Sequence, residues 1–327
     1  MRALLIVCAL ASLAVAEPAG TAAPAPAAAP APATAIDAGP AIDAGYAAAI
    51  LYGSAAPPAT CTGSDAIPCL LGARYARDPK ARTAALALYA DTGDVAGIGS
   101  EEIMDGGYRG KIHLVPALPV GDYRDHLTWT LAAMRAIDAF FAAQFPAGTA
   151  APAYRWRALA FHFVRSVGKR TPSAYATSWA VTYNVSGSLL TSEGGVLETL
   201  FHELFHDNDE AHRDWSARTL ATDYAAILAR CGERPTMKCL APYAPGTTVV
   251  RGGTYYAFQP NNGDGVHEYA AELAIRYFSE QREMQRAGKL RKAAFKCGPA
   301  ENARSWAALV DEFFAGRDLV PTCTTSG

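Results

Sequence analysis

The sequence predicts an α+β fold: a small mixed sheet, then a histidine-bearing helix, then a mainly helical C-terminal part. Short runs rich in aromatic and β-branched residues lie ahead of residue 190, and apolar residues at helical spacing dominate beyond it. Of the 327 residues, 50% are apolar and 18% charged, the balance of a globular chain able to bury a core. Strands gathered ahead of helices, rather than alternating with them, argue against a wound α/β sheet.

The N-terminus reads as a signal peptide over residues 1–16. Arg2 supplies a positive charge, Ala3 to Leu13 an apolar run, and Ala14-Val15-Ala16 a small-x-small site, so cleavage is expected after Ala16. The apolar run is too short for a spanning helix, which takes ~20 residues, and no later stretch qualifies. Residues 17–45 are almost wholly Ala, Pro, Gly and Thr, with AIDAG at 35–39 and again at 41–45. Such a segment buries too little to offset its ordering entropy and is expected to be a disordered linker, stiffened by proline. The folded domain is then expected over 46–327, in a secreted, periplasmic or extracellular setting.

Export also frames the cysteines. Cys61, Cys69, Cys231, Cys239, Cys297 and Cys323 remain after the signal, and their spacing favours the pairs 61–69, 231–239 and 297–323. No C-x-x-C occurs, so a cysteine-type metal or redox site is unsupported. A formal net charge of −2 gives no footprint for nucleic acid or anionic membrane.

Pro79 to Ala90 has helical composition. KIHLVPALPV at 111–120 reads as a strand that Pro116 and Pro119 demote to an edge or an irregular one. Asp125 to Phe145 spaces Leu127, Leu131, Met134, Ile137, Phe140 and Phe141 as a helix and ends before Pro146. Trp156 to Val164 and Ser178 to Val185 read as strands, the second expected to accept an extended peptide along its side. Next comes a helix from Ser192, a plausible N-cap, to Asp207, with Asp207, Asn208 and Asp209 terminating it.

That helix carries His202-Glu203-Leu204-Phe205-His206. Two histidines four residues apart share one helix face, the geometry that brings two nitrogens to ~2.0–2.1 Å from one Zn²⁺. Glu203 stands beside them, suited to take a proton from water; H-E-x-x-H on a helix is a metalloprotease signature. Val196, Leu197, Leu200, Phe201, Leu204 and Phe205 supply the apolar surface and leave the His/Glu face to line a cleft.

A catalytic zinc site needs a third protein ligand. One candidate is Glu268 in GVHEYAAELAIRYF, a helix after the turn-rich QPNNGDG; Glu272 lies one turn on and could orient a ligand imidazole. Val266, Tyr269, Leu273, Ala274 and Tyr277 make this helix largely buried, and two carboxylates on it would be costly without a cation. The other is His212, since 202, 206 and 212 reproduce the spacing H-E-x-x-H-x-x-G-x-x-H with Asp209 at the glycine. Tyr255, Tyr256 and His267, just upstream of Glu268, are candidates for stabilising an oxyanion.

At these residues the chain resembles the gluzincin metallopeptidases, and EYAAE looks most like the third-ligand helix of their lethal-factor-like branch. The likeness covers two helices. It implies a zincin-like catalytic domain with His202, His206 and Glu268 as zinc ligands and Glu203 as general base. It implies Glu272 as an outer partner and a peptide or protein as substrate. The alternative is a non-catalytic exported surface or scaffold protein with a structural or decayed metal site; the intact Glu203 speaks against decay.

Overall fold

The computed structural model describes residues 42–106, 109–250, 252–259 and 265–323. The expected signal peptide, the expected linker through residue 41 and most of the QPNNGDG segment lie outside the described residues. Three helices come first: α1 (Ala44–Tyr52), α2 (Ala66–Arg74) and α3 (Pro79–Thr92). α1 begins within the second AIDAG copy, because the Asp43 carboxylate accepts the N–H of Tyr46 at 2.7 Å and caps the helix. α3 opens on Pro79 behind an Asp78 cap and stops at Gly93, whose φ of 76° is left-handed.

The sheet follows, built from β1 (Val95–Ile98), β2 (Glu102–Asp105), β3 (Lys111–Pro116), β4 (Ala160–Ser166), β5 (Ala174–Thr177) and β6 (Ala180–Asn184). Its order is β2-β3-β4-β6-β5, with β1 also paired to β4. β4 is the axis: β1 and β6 run parallel to it and β3 antiparallel. Flanked on both sides, it buries Ala160, Phe161, Phe163 and Val164 in a near-continuous apolar run.

Three strand expectations need correction. β3 is not an edge, since β2 pairs on one side and β4 on the other. Pro116 is tolerated because it is the strand's last residue, and Pro119 lies beyond it. β4 begins at Ala160 rather than Trp156; Trp156 instead stacks on Phe141 at 3.9 Å and bonds Asp138 at 3.1 Å. β6 has no free side to accept a peptide, because β4 and β5 occupy both. Within this sheet the edge next to the histidine helix is β5.

Helix α4 (Arg124–Gln144) buries all six apolar residues of its predicted face. It packs on α5 (Glu193–Ala211), the histidine-bearing helix. The remainder is mainly helical: α6 (Trp215–Thr219), α7 (Ala221–Cys231), α8 (Met237–Leu240), the ribbon β7 (Val249–Val250) and β8 (Thr254–Tyr255), α9 (Gly265–Ala287) and α10 (Ala300–Phe313). The architecture is thus mixed α+β. Phe201 of α5 stacks on Phe278 of α9 at 4.3 Å, and Phe140 of α4 meets Phe278 edge-on at 4.7 Å. These rings fix α5 and α9 against one another.

Disulfides join Cys61 to Cys69, Cys231 to Cys239 and Cys297 to Cys323, the pairs expected from spacing. They are compatible with an oxidising, extracellular setting. Among the described residues no helix is long and apolar enough to cross a membrane.

Candidate metal centre

Ser192 starts α5 by accepting the Gly195 N–H on its hydroxyl at 3.2 Å. Val196, Leu200, Phe201, Leu204 and Phe205 are buried, which sets the roll of the helix. α9 is rolled in the same way by Val266, Tyr269, Leu273, Ala274 and Tyr277. The two helices pack together, and their polar faces meet at His202 and Glu268. His202 and Glu203 are each 7% exposed, so access to the centre is on the side of the more open His206 and Glu268.

The ligand atoms converge. His202 Nε2 lies 3.0 Å from His206 Nε2 and 3.1 Å from Glu268 Oε2, and His206 Nε2 lies 3.7 Å from the same oxygen. A tetrahedral ion with bonds of ~2.0–2.1 Å sets its ligands roughly 3.3 Å apart, so one ion can bridge all three. His202, His206 and Glu268 therefore form a buried group able to hold a metal ion. On the far side of His202, Nδ1 is 3.7 Å from Glu272 Oε1. Gly246 backs that carboxylate so closely that a Cβ there would stand 1.6 Å from Glu272 Oε2.

The electrostatics favour a cation. Burial alone would lower the His202 pKa, but the hydrogen bond and charge of Glu268, with Glu203 and Glu272 behind it, raise it to about 9. Burial pushes Glu268 up, yet the two imidazoles outweigh it and hold the carboxyl well below its usual range. Burial raises Glu203 and Glu272 against the pull of the same imidazoles. A bound cation would stabilise three carboxylates gathered around two imidazoles and largely out of water.

The chain matches no family model, no curated protein and no solved structure. The chemistry therefore rests on the donor set itself.

The other sequence candidates separate cleanly. His212 does not join the group: it caps α5, gives Nδ1 to Glu312 at 2.6 Å and lays its ring on Phe313. Tyr256 sets its ring against His202, 5.7 Å between centroids. Tyr255 ends β8, and His267 turns to Asp209 at 2.7 Å and Ser216 at 3.0 Å.

Asp207, Asn208 and Asp209 do not terminate α5, which continues to Ala211. Each is buried with a distant partner instead. Asp207 accepts the Trp179 N–H, and Asn208 exchanges hydrogen bonds with the Arg155 backbone at 2.7 and 2.9 Å. Asp209 accepts from Ser216 and His267, tying the end of α5 to the first turn of α9, where Glu268 sits. Nothing in the local sequence separates these roles from helix capping, because the partners lie far away in the chain.

Proposed function

We propose that this chain is a zinc-dependent peptidase acting outside the cytoplasm, with a zincin-like catalytic domain of the gluzincin type. The observation that carries the reading is the convergence of His202 Nε2, His206 Nε2 and Glu268 Oε2 with Glu203 on the adjoining helix position. Two imidazoles and a carboxylate are a donor set zinc favours. Bound there, zinc acidifies water and polarises a carbonyl.

The residues of the chain do the rest. Glu203, its pKa raised by burial, accepts the proton of the attacking water and passes it to the leaving amine. Glu272 Oε1, 3.7 Å from His202 Nδ1, stands on the side from which an outer carboxylate would orient the ring. Tyr256, whose ring lies against His202, is the candidate donor to the developing oxyanion. The outer side of β5, beside α5, offers main-chain groups to an extended peptide.

Glu203→Gln tests this reading. The variant should bind zinc as the parent does and lose peptide hydrolysis by about 10²–10⁴-fold, the usual worth of a general base. Undiminished hydrolysis by the variant, or by protein stripped of metal, would overturn it.

A further inference from the structure

A cavity of about 560 Å³ lies away from the metal centre, where the parallel strands β4 and β6 end and α5 is about to begin. Ligand crevices recur beyond the carboxyl ends of parallel strands, where loops diverge. One wall is aromatic, formed by Tyr123, His126 and Trp129; the other carries Arg165, Lys169 and Arg170. No aspartate or glutamate lines it among the described residues. Lys169 Nζ is spent on backbone carbonyls of Arg109 and Lys111. Neither Arg165 nor Arg170 has a carboxylate partner among the described residues.

The loops around the cavity are fixed in place. Asn184, 1% exposed, spends its side chain on four hydrogen bonds. Its Nδ2 donates to Ser166 Oγ at 2.9 Å and Pro172 O at 2.7 Å, and its Oδ1 accepts from the N–H groups of Ser166 and Ser186, each at 3.0 Å. One buried amide thus holds the end of β4, the β4–β5 loop and the β6–α5 loop. Gly187 closes the arrangement, since a Cβ there would stand 2.8 Å from Ser173 Cα. A site so held has little ordering left to do when a ligand arrives.

β5 and α5 both run from this cavity to the metal centre. At the cavity end, Ser173 takes the Leu189 N–H on its hydroxyl; at the other end, Trp179 donates to Asp207. From Ser173 to Trp179 an extended strand covers ~20 Å. From Ser192 to Asp207 a helix covers ~22 Å, so the two lie side by side. His202 is ~15 Å along that helix, the reach of about four to five extended residues.

We infer that the cavity is a carboxylate subsite that selects peptide substrates bearing Glu or Asp about four to five residues from the scissile bond. Two arginines without carboxylate partners among the described residues focus an anion into the cavity and can grip a carboxylate through paired N–H groups. The aromatic wall takes the aliphatic part of the side chain. The inference rests on the peptidase reading for its purpose, though the carboxylate site itself can be tested without it.

The experiment uses peptides identical except for Glu or Gln at each position out to about six residues on either side of the cleaved bond. Zinc-loaded protein should prefer Glu by about tenfold in kcat/KM at one position four or five residues out. That ratio should fall toward one with added salt, and in Arg170→Gln or Arg165→Gln. Arg170 is exposed, so its replacement does not threaten the fold. Cleavage with no Glu preference overturns the subsite and leaves the peptidase reading standing. If no peptide is cleaved, the peptidase reading fails, and the same peptides carrying a fluorescent label decide the subsite by anisotropy. A Glu preference lost in Arg170→Gln sustains it; equal binding of Glu and Gln peptides overturns it.

Discussion

The backbone N–H of Trp179 donates to Asp207 Oδ1 at 3.1 Å, fastening the tip of the β5–β6 hairpin to the residue after His206. The tip needs fastening. Ser178 and Trp179 have φ of 51° and 64°, the left-handed pair of a two-residue hairpin turn built without glycine. Arg155 lies over the Trp179 ring at 4.2 Å and is itself bonded to Asn208, so α5 holds the turn from two sides. At about pH 5, where the raised pKa keeps Asp207 protonated, Asp207→Ala should therefore lower the unfolding free energy by about 1–2 kcal/mol, the cost of stranding a part-buried donor. Asp207→Asn keeps an acceptor and should lose less, as read by denaturant titration.

The same turn predicts a gain. Ser178 is exposed, so glycine there removes left-handed strain without removing packing. Ser178→Gly should stabilise the protein by about 1 kcal/mol, visible as a higher denaturant midpoint.

This turn also shows what the sequence could and could not reveal. β5 went unread because its hairpin lacks the Asn-Gly or Gly-x signal, its left-handed residues being held by contacts from α5. With β5 hidden, β6 looked like a strand with a free side. The His202/His206 pair was legible because one helix turn fixes their relation locally. Glu268 was legible only as one of two candidates. Choosing it over His212 depends on α9 crossing α5, and that is set by rings such as Phe201 and Phe278, which the pattern of each helix does not pair. Gly246 left no signal, since its role is contact with a side chain from another element.

Asp94 gives a pH dependence with a definite sign. Burial raises its pKa from 3.8 to about 7, against the lowering hydrogen bonds from Thr92 and the Leu159 N–H. The Thr92 hydroxyl lies 2.8 Å from Leu88 O and 2.6 Å from Asp94 Oδ2, and its single proton serves both only if Asp94 is protonated. A folded pKa above the unfolded one means stability fully present below 3.8 and lost as pH rises through about 7. Asp207, raised by burial to about 7, acts in the same direction. Asp94→Asn should flatten the decline measured by denaturant midpoints between about pH 4 and 7.5. Equal slopes in both proteins would refute the assignment.

Gly246 gives a prediction at the candidate metal centre. An alanine methyl would displace the Glu272 carboxylate, which sits 3.7 Å from His202 Nδ1. Losing such an outer partner weakens metal binding by about tenfold or more. Competition with a chelator should show that loss in Gly246→Ala, and unchanged affinity would mean that Glu272 does not position His202.

Anomalous diffraction at the zinc edge from crystals of the metal-loaded protein tests the central claim most directly. One peak is expected, with His202 Nε2, His206 Nε2 and a Glu268 oxygen at ~2.0–2.1 Å from it. A peak bonded to His212 in place of Glu268, or no peak between α5 and α9, would contradict it.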